Sequence, residues 1–312
     1  MLKKLLTILA VLTATHVAMA QYDPEFTHFW MMRPSYNPAA AGEEDALNIT
    51  GAYSMQMTGF THAPKTMYAG VDMPFIVMRK RNGVGLTFLN DELGLFTHKR
   101  FSAQYSYYIN RLFGGKLSIG AQADLISETF DGTGADVEET NDPAIPTTKV
   151  TGSKVDMSAG LMYYHKRWFA GFSMLHILSP RVMLGETNEL PIDPTYYFTA
   201  GYNIALRNPL LTIHPAVLCR YDGSEFRADI SGRIELHSDT KKLFAGASWS
   251  PEHSASLFVG GLFHGVTLSY SYEAYTSMPD LKSGAHEIIM KYDLDLNLYK
   301  KGRQRHKSVR YL

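Results

Sequence analysis

The chain has 312 residues, 30 Lys and Arg against 30 Asp and Glu, a pI near 7.2 and a mean hydropathy of -0.15, which allows one large domain or two modest ones. Zero formal charge argues against a nucleic-acid binder, which needs a basic surplus to neutralise phosphates. The single cysteine, Cys219, excludes an intrachain disulfide and a thiolate zinc site.

Residues 1–20, MLKKLLTILAVLTATHVAMA, place Lys3 and Lys4 ahead of a short apolar run and end on Ala18 and Ala20. That is the pattern of a secretory signal peptide. Removing it leaves 28 basic against 30 acidic residues, a formal charge of -2. Residues 21–45 form an arm carrying Pro24, Pro34 and Pro38 among aromatic residues. Proline lacks the N–H that a central strand or helix interior needs, so neither is expected there.

From residue 46 the apolar residues recur with period 2. In residues 101–110, Phe101, Ala103, Tyr105, Tyr107 and Ile109 oppose Ser102, Gln104, Ser106 and Asn110. In 226–237, Phe226, Ala228, Ile230, Ile234 and Leu236 oppose Arg227, Asp229, Arg233, Glu235 and His237. No run of 18 apolar residues follows the signal peptide, so helical membrane spans are not expected. The alternating runs last about ten residues, the length of a tilted membrane strand and more than the ~5–6 of a soluble sheet. Strands are predicted over 46–58, 66–75, 83–90, 99–109, 116–128, 154–164, 168–177, 195–206, 210–221, 225–237, 242–250, 254–263, 266–275 and 285–296. The count is fourteen, even as in bacterial single-chain barrels, and longer connections alternate with tight ones. The fold expected is all-β: a transmembrane antiparallel up-and-down barrel over 46–296, with both terminal segments in the periplasm. A secreted soluble β-sandwich is the rival, since alternation alone suits it too.

The tail, residues 297–312, holds Lys300, Lys301, Arg303, Arg305, Lys307 and Arg310 and no acidic residue, which leaves the rest of the mature chain at 22 basic against 30 acidic. Such a tail suits an acidic partner surface or anionic lipid headgroups.

The opening QYDPEFTHFWMMRPSYNPAAAG resembles the start of the PorP/SprF family of outer-membrane proteins, through Asp23-Pro24 with Phe26 and the stretch Tyr36-Asn37-Pro38-Ala39 to Gly42. Further likeness lies in Ala63-Pro64-Lys65-Thr66, Gly83-Val84-Gly85-Leu86, Gly171-Phe172-Ser173 and Ser283-Gly284-Ala285-His286-Glu287-Ile288. Met55-Gln56-Met57 departs from a Gln-Trp pair common in the family, and Ala285 stands where Ser is usual. The resemblance implies a barrel of the type IX secretion and gliding apparatus. It would work with periplasmic ring and motor components, and some members pair with a cognate secreted surface protein or adhesin. The alternative is an outer-membrane porin or substrate-specific channel.

Asp23, Phe26, Phe29, Trp30, Tyr36 and Asn37 are the arm's candidates for partner binding, and the six basic residues are the tail's. A plug in the barrel's own lumen is the equal alternative for the arm. Arg220, Arg227, Asp229, Arg233, Glu235, Glu273, Glu287 and Lys291 share the face opposite the apolar one and are expected to form an ionic ladder in the lumen. No nucleophile elbow, HExxH or phosphate loop is present, so no catalytic residue, metal or cofactor is assigned and an enzyme is not expected. The acidic 131–142 loop fixes no calcium geometry.

Overall fold

In the computed structural model, residues 23–60, 62–134, 146–238, 241–277 and 284–296 are described. Strands β1 (Ala46–Met55), β2 (Lys65–Val77), β3 (Lys80–Leu93), β4 (Phe96–Leu112), β5 (Gly115–Asp131), β6 (Lys149–Tyr164) and β7 (Trp168–Leu175) run as an antiparallel meander. Then come the short hairpin β8 (Arg181–Leu184) and β9 (Asn188–Pro191), β10 (Thr195–Tyr202) and the two-residue β11 (Ile204–Ala205). The meander resumes with β12 (Leu211–Tyr221), β13 (Phe226–Ser238), β14 (Lys241–Ser250), β15 (Ser254–Phe263), β16 (Val266–Tyr275) and β17 (Ala285–Asp295). β1 pairs with β17, from Ala46 opposite Asp295 to Met55 opposite His286, and β10 pairs with both β7 and β12. Those pairings close a fourteen-stranded barrel, with β11 as one extra strand on β12.

Every predicted strand is present, because period 2 ties register to the face each side chain occupies. Outward-facing Leu86, Val155 and Leu257 are 61%, 64% and 69% exposed. A soluble sandwich would bury this face, whereas a wall that turns it outward suits lipid. The β8–β9 hairpin lies where a loop was expected over 178–194. Its strands of four residues are too short for a membrane-length template; Val182 and Ile192 pack on Ile126 of β5. β6 also starts five residues earlier than expected, and its first ten residues, 149–158, stand beyond the last pair with β7, Met174 with Ala159. The hairpin packs against that overhang.

The barrel has two unlike mouths. At the terminal mouth β1 begins and β17 ends, and Leu296 N donates to Asp45 O at 3.0 Å. At the loop mouth lie the longer connections, including the one that carries the hairpin.

The arm fills the lumen. Its prolines break it into three 3-10 turns, Phe29–Met31, Arg33–Ser35 and Pro38–Ala40, the last capped by Asn37 Oδ1, which accepts from Ala39 N at 3.0 Å. Met31 and Met32 join Tyr68, Leu89, Phe244, Phe258 and Ile289 of the wall in one apolar cluster. Phe29 and Tyr36 join Leu175, Tyr197, Ala216 and Leu218 in a second, and Trp30 packs against both. Each large side chain buried this way stabilises the plug by roughly 1.5–3 kcal/mol.

Backbone meets backbone farther along. A Cβ on Gly83 would lie 2.0 Å from Ala41 O, and one on Gly120 would lie 2.2 Å from Ala39 N. Only glycine lets the wall approach so closely. Asp23 contacts residues at the loop-mouth ends of β10 and β12, and Asp45 contacts Arg81 near the start of β3, so the arm runs the length of the lumen. The expectation of an N-terminal segment lying in the periplasm is therefore corrected for residues 23–45, which apolar burial draws inside the barrel. The signal peptide and the basic tail lie outside the described residues.

Candidate functional site

The inward face of the wall and the arm together make a clasp of buried charge. At the loop mouth Asp23 is the node. Arg100 Nη1 donates to its Oδ1 at 2.7 Å, Tyr197 Oη to its Oδ2 at 3.0 Å, and Arg220 Nη1 to its carbonyl at 2.6 Å. His176, in the connection after β7, donates from Nδ1 to Asp156 Oδ2 at 2.7 Å, while its Nε2 stands 3.4 Å from Asp23 Oδ1 and 3.2 Å from Arg100 Nη1. Two residues on from Asp23, Glu25 forms close ion pairs with Arg220 and Arg227, and Arg227 also reaches Asp229 at 3.2 Å and Glu273 at 3.6 Å.

Midway, Glu287 Oε2 accepts from Thr27 N at 2.8 Å and its Oε1 meets His28 Nδ1 at 2.5 Å. At the terminal mouth Arg33 pairs closely with Glu43, Arg81 pairs closely with Asp45, and Lys291 Nζ donates to Glu44 at 2.7 Å. Arg81 Nη2 also donates to the carbonyls of Gly42, Glu43 and Glu44 at 2.8, 2.8 and 2.9 Å. The candidate ladder residues all face inward, but five of them, Arg220, Arg227, Arg233, Glu287 and Lys291, reach the arm, Arg233 by lying over the Trp30 ring. Pairs within the wall include Arg227 with Asp229 and Glu273, Glu235 with Arg233 and Lys242, and Lys291 with Asp293.

The arm's partner-binding candidates are turned into this lumen. Asp23, Phe29, Tyr36 and Asn37 are buried, Asn37 Nδ2 donates to Leu161 O at 3.1 Å, and Tyr36 lies stacked beside Tyr197 with centroids 5.9 Å apart. Phe26 meets Tyr68 edge-on and Trp30 meets Phe244 edge-on. Sequence reasoning passed over Arg81, Arg100, His176 and the arm's Glu25, His28, Glu43 and Glu44. For Arg100 the signal was present: it shares the parity of Ser102 and Gln104, the polar face of β4.

One trio has the outline of a nucleophilic array. His28 Nε2 lies 2.7 Å from Ser269 Oγ, and its Nδ1 faces Glu287. Ser269 Oγ also lies 2.9 Å from Val259 O, a second acceptor for its one proton, and all three side chains are buried. The trio fastens the arm to β16 and β17.

Burial alone would lower the His176 imidazole. The charge of Asp23 and the hydrogen bonds to Asp156 and Asp23 outweigh it, despite opposition from Arg100, and push the group up to about 9. Burial would likewise raise Asp23, yet Arg100, His176 and Arg220 hold its carboxyl well below the usual range. A raised imidazole stabilises fully below its unfolded value of ~6.5 and loses that contribution as pH climbs through 9. A depressed carboxyl contributes above ~3.9 and loses it as pH falls. Arm anchoring is therefore expected to be strongest between about pH 4 and 6.5. It should weaken by at most about 3 kcal/mol on going to pH 10. Amide exchange of residues 24–32 measured at pH 6 and pH 10, corrected for intrinsic rates, checks this; His176→Gln should flatten the difference.

The chain matches the family described as type IX secretion system membrane protein PorP/SprF over residues 18–292. No curated protein matches it. Among solved structures, the CymD monoaromatic hydrocarbon channel superposes with a TM-score of 0.48 at 11% identity, covering 89% of this chain and 95% of that one. A Pseudomonas aeruginosa FadL homologue gives a TM-score of 0.45 at 10% identity over 84% and 93%. BamA from Haemophilus ducreyi, lacking POTRA domains 1–3, gives 0.45 at 8% identity over 80% and 70%.

Proposed function

Since the chain belongs to the PorP/SprF family of type IX secretion system membrane proteins, we propose that it is a secretion-system barrel of the outer membrane that works through its rims and tail as a docking component. The observation that carries this reading is the plug: among the described residues, salt bridges and aromatic packing occupy the lumen from Asp23 to Asp45, which argues against passage of cargo through it. Periplasmic ring and motor components are the partners assigned to the terminal mouth. The basic tail, Lys300, Lys301, Arg303, Arg305, Lys307 and Arg310, follows in sequence β17, whose last residue Asp295 lies at that mouth, and its six positive charges suit an acidic partner. The loop mouth, with its β8–β9 hairpin, is assigned to supporting export or anchoring of a surface protein. Docking through Phe26, Phe29, Trp30 or Tyr36 would require the arm to leave the lumen. A porin or substrate channel would require the same.

Pull-down of the tagged barrel from its native membrane tests the reading. Replacing the six tail cations by Gln is expected to reduce co-purifying periplasmic secretion components by roughly tenfold, the factor for ~1.4 kcal/mol, at unchanged barrel abundance. Unchanged retention of those components removes the tail from the docking surface, and recovery of none from the wild type removes the docking role.

A further inference from the structure

A polar cavity of about 190 Å³ opens at the terminal mouth beside the arm. Trp30, Arg33, Phe169, Arg233, Glu235 and Lys242 wall it. Trp30 lies at its inner end, with the Arg233 guanidinium 3.9 Å above its ring, while Lys242 is 37% exposed at the rim.

The donors of this cavity outnumber its acceptors. Trp30 Nε1 is buried and makes no hydrogen bond among the described residues, and Arg233 Nε has only Glu235 Oε2, at 3.5 Å. The one carboxylate in the wall, Glu235, is faced by Lys242 at 2.6 Å, His237 at 3.1 Å, and Arg233 and His214 at 3.5 Å each. Arg33 adds a third cation, whose partner Glu43 stands outside the cavity wall. Buried donors without acceptors are costly unless a ligand or water completes them. The aromatic walls and a volume above the ~150 Å³ that holds benzene admit a ring-sized body.

We propose that this cavity binds a carboxylate, taking it from a small organic acid or from the acidic side chain of a polypeptide that reaches the terminal mouth. The carboxylate would accept from Arg233 and Trp30 at the inner end and from Lys242 at the rim, a charge-assisted arrangement stronger than neutral hydrogen bonds. The site does not rest on the docking role proposed above, because a free acid would occupy it equally.

The test uses the full-length barrel in detergent. Trp168→Phe and Trp249→Phe leave Trp30 as the single tryptophan, so its fluorescence reports the cavity directly. Titration with benzoate at constant ionic strength is expected to give a saturable change, and benzyl alcohol, the uncharged counterpart, none. Lys242→Gln and Arg233→Gln should each weaken benzoate by roughly tenfold, the loss of one hydrogen bond to a charged group. Lys242→Gln stands at the rim and leaves the stack on Trp30 in place, so it stays readable if Arg233→Gln disturbs the wall. A capped peptide with one Glu, set against its Gln counterpart, shows whether the carboxylate can arrive on a polypeptide; preference for Glu supports the site. No saturable response to benzoate, an equal response to benzyl alcohol, tighter binding of inorganic phosphate, or undiminished affinity in both variants overturns the proposal.

Discussion

Asp23→Ala is expected to free the first half of the arm while the wall stays folded. The substitution removes the carboxylate that Arg100 and His176 share and the acceptor of Tyr197 Oη. All of these groups are buried, and breaking such an arrangement by deleting one partner costs ~3–5 kcal/mol because the remaining charge stays desolvated. The wall does not depend on this node. Its ladders run without interruption through sixteen register pairs between β5 and β6 and eleven between β12 and β13. Amide protection of residues 24–32 should therefore collapse while that of β4, β5 and β6 persists, and heat-modifiable gel migration should be unchanged. Asp23→Asn, which keeps the shape and one acceptor but removes the charge, should fall between. Protection of the arm at wild-type level in Asp23→Ala would mean that aromatic packing alone holds it.

The wall was legible in the sequence far better than the contents of the lumen, and for a physical reason. A strand in a barrel meets lipid on one face and the lumen on the other, so every second residue reports the fold, as in 226–237. The arm obeys no period. Three prolines and five aromatics suit an interface with another protein as well as one with the barrel's own wall. The missing signal lay on the opposite side of that contact. Phe244 and Phe258 occupy the parity that elsewhere carries Ser248, Ser250, Ser254 and Ser256, and two large aromatics on the polar face of adjacent strands call for an apolar occupant. The inward parity of the charged residues was legible, but their contacts with the arm were not, since Glu25, Glu43 and Glu44 belong to a segment whose place the strand pattern does not set. The β8–β9 hairpin fell below the length at which alternation can be counted.

Those same residues decide what removing the arm should do. Deletion of residues 24–42 is expected to turn a closed barrel into a conducting one. In planar bilayers the wild type should stay near baseline, and the deletion should show stable ohmic steps at least tenfold larger, as for a barrel between the filled eight-stranded and open sixteen-stranded types. Much of the uncovered wall is suited to water: Ser102, Gln104, Ser106, Ser118 and Gln122 face inward with Arg100 and Arg220. The rest is not, because Tyr68, Leu89, Leu218, Phe244 and Phe258 would lose their cover. A permanently open porin has no reason to line its lumen with this patch, so its presence marks the arm as the normal occupant. If the deletion fails to assemble, the double variant Asp23→Ala/Glu25→Ala, which unfastens the loop-mouth end and keeps every apolar contact, should show intermittent openings in the same measurement. Steady wild-type conductance equal to that of the deletion would sink the plug and restore the channel reading.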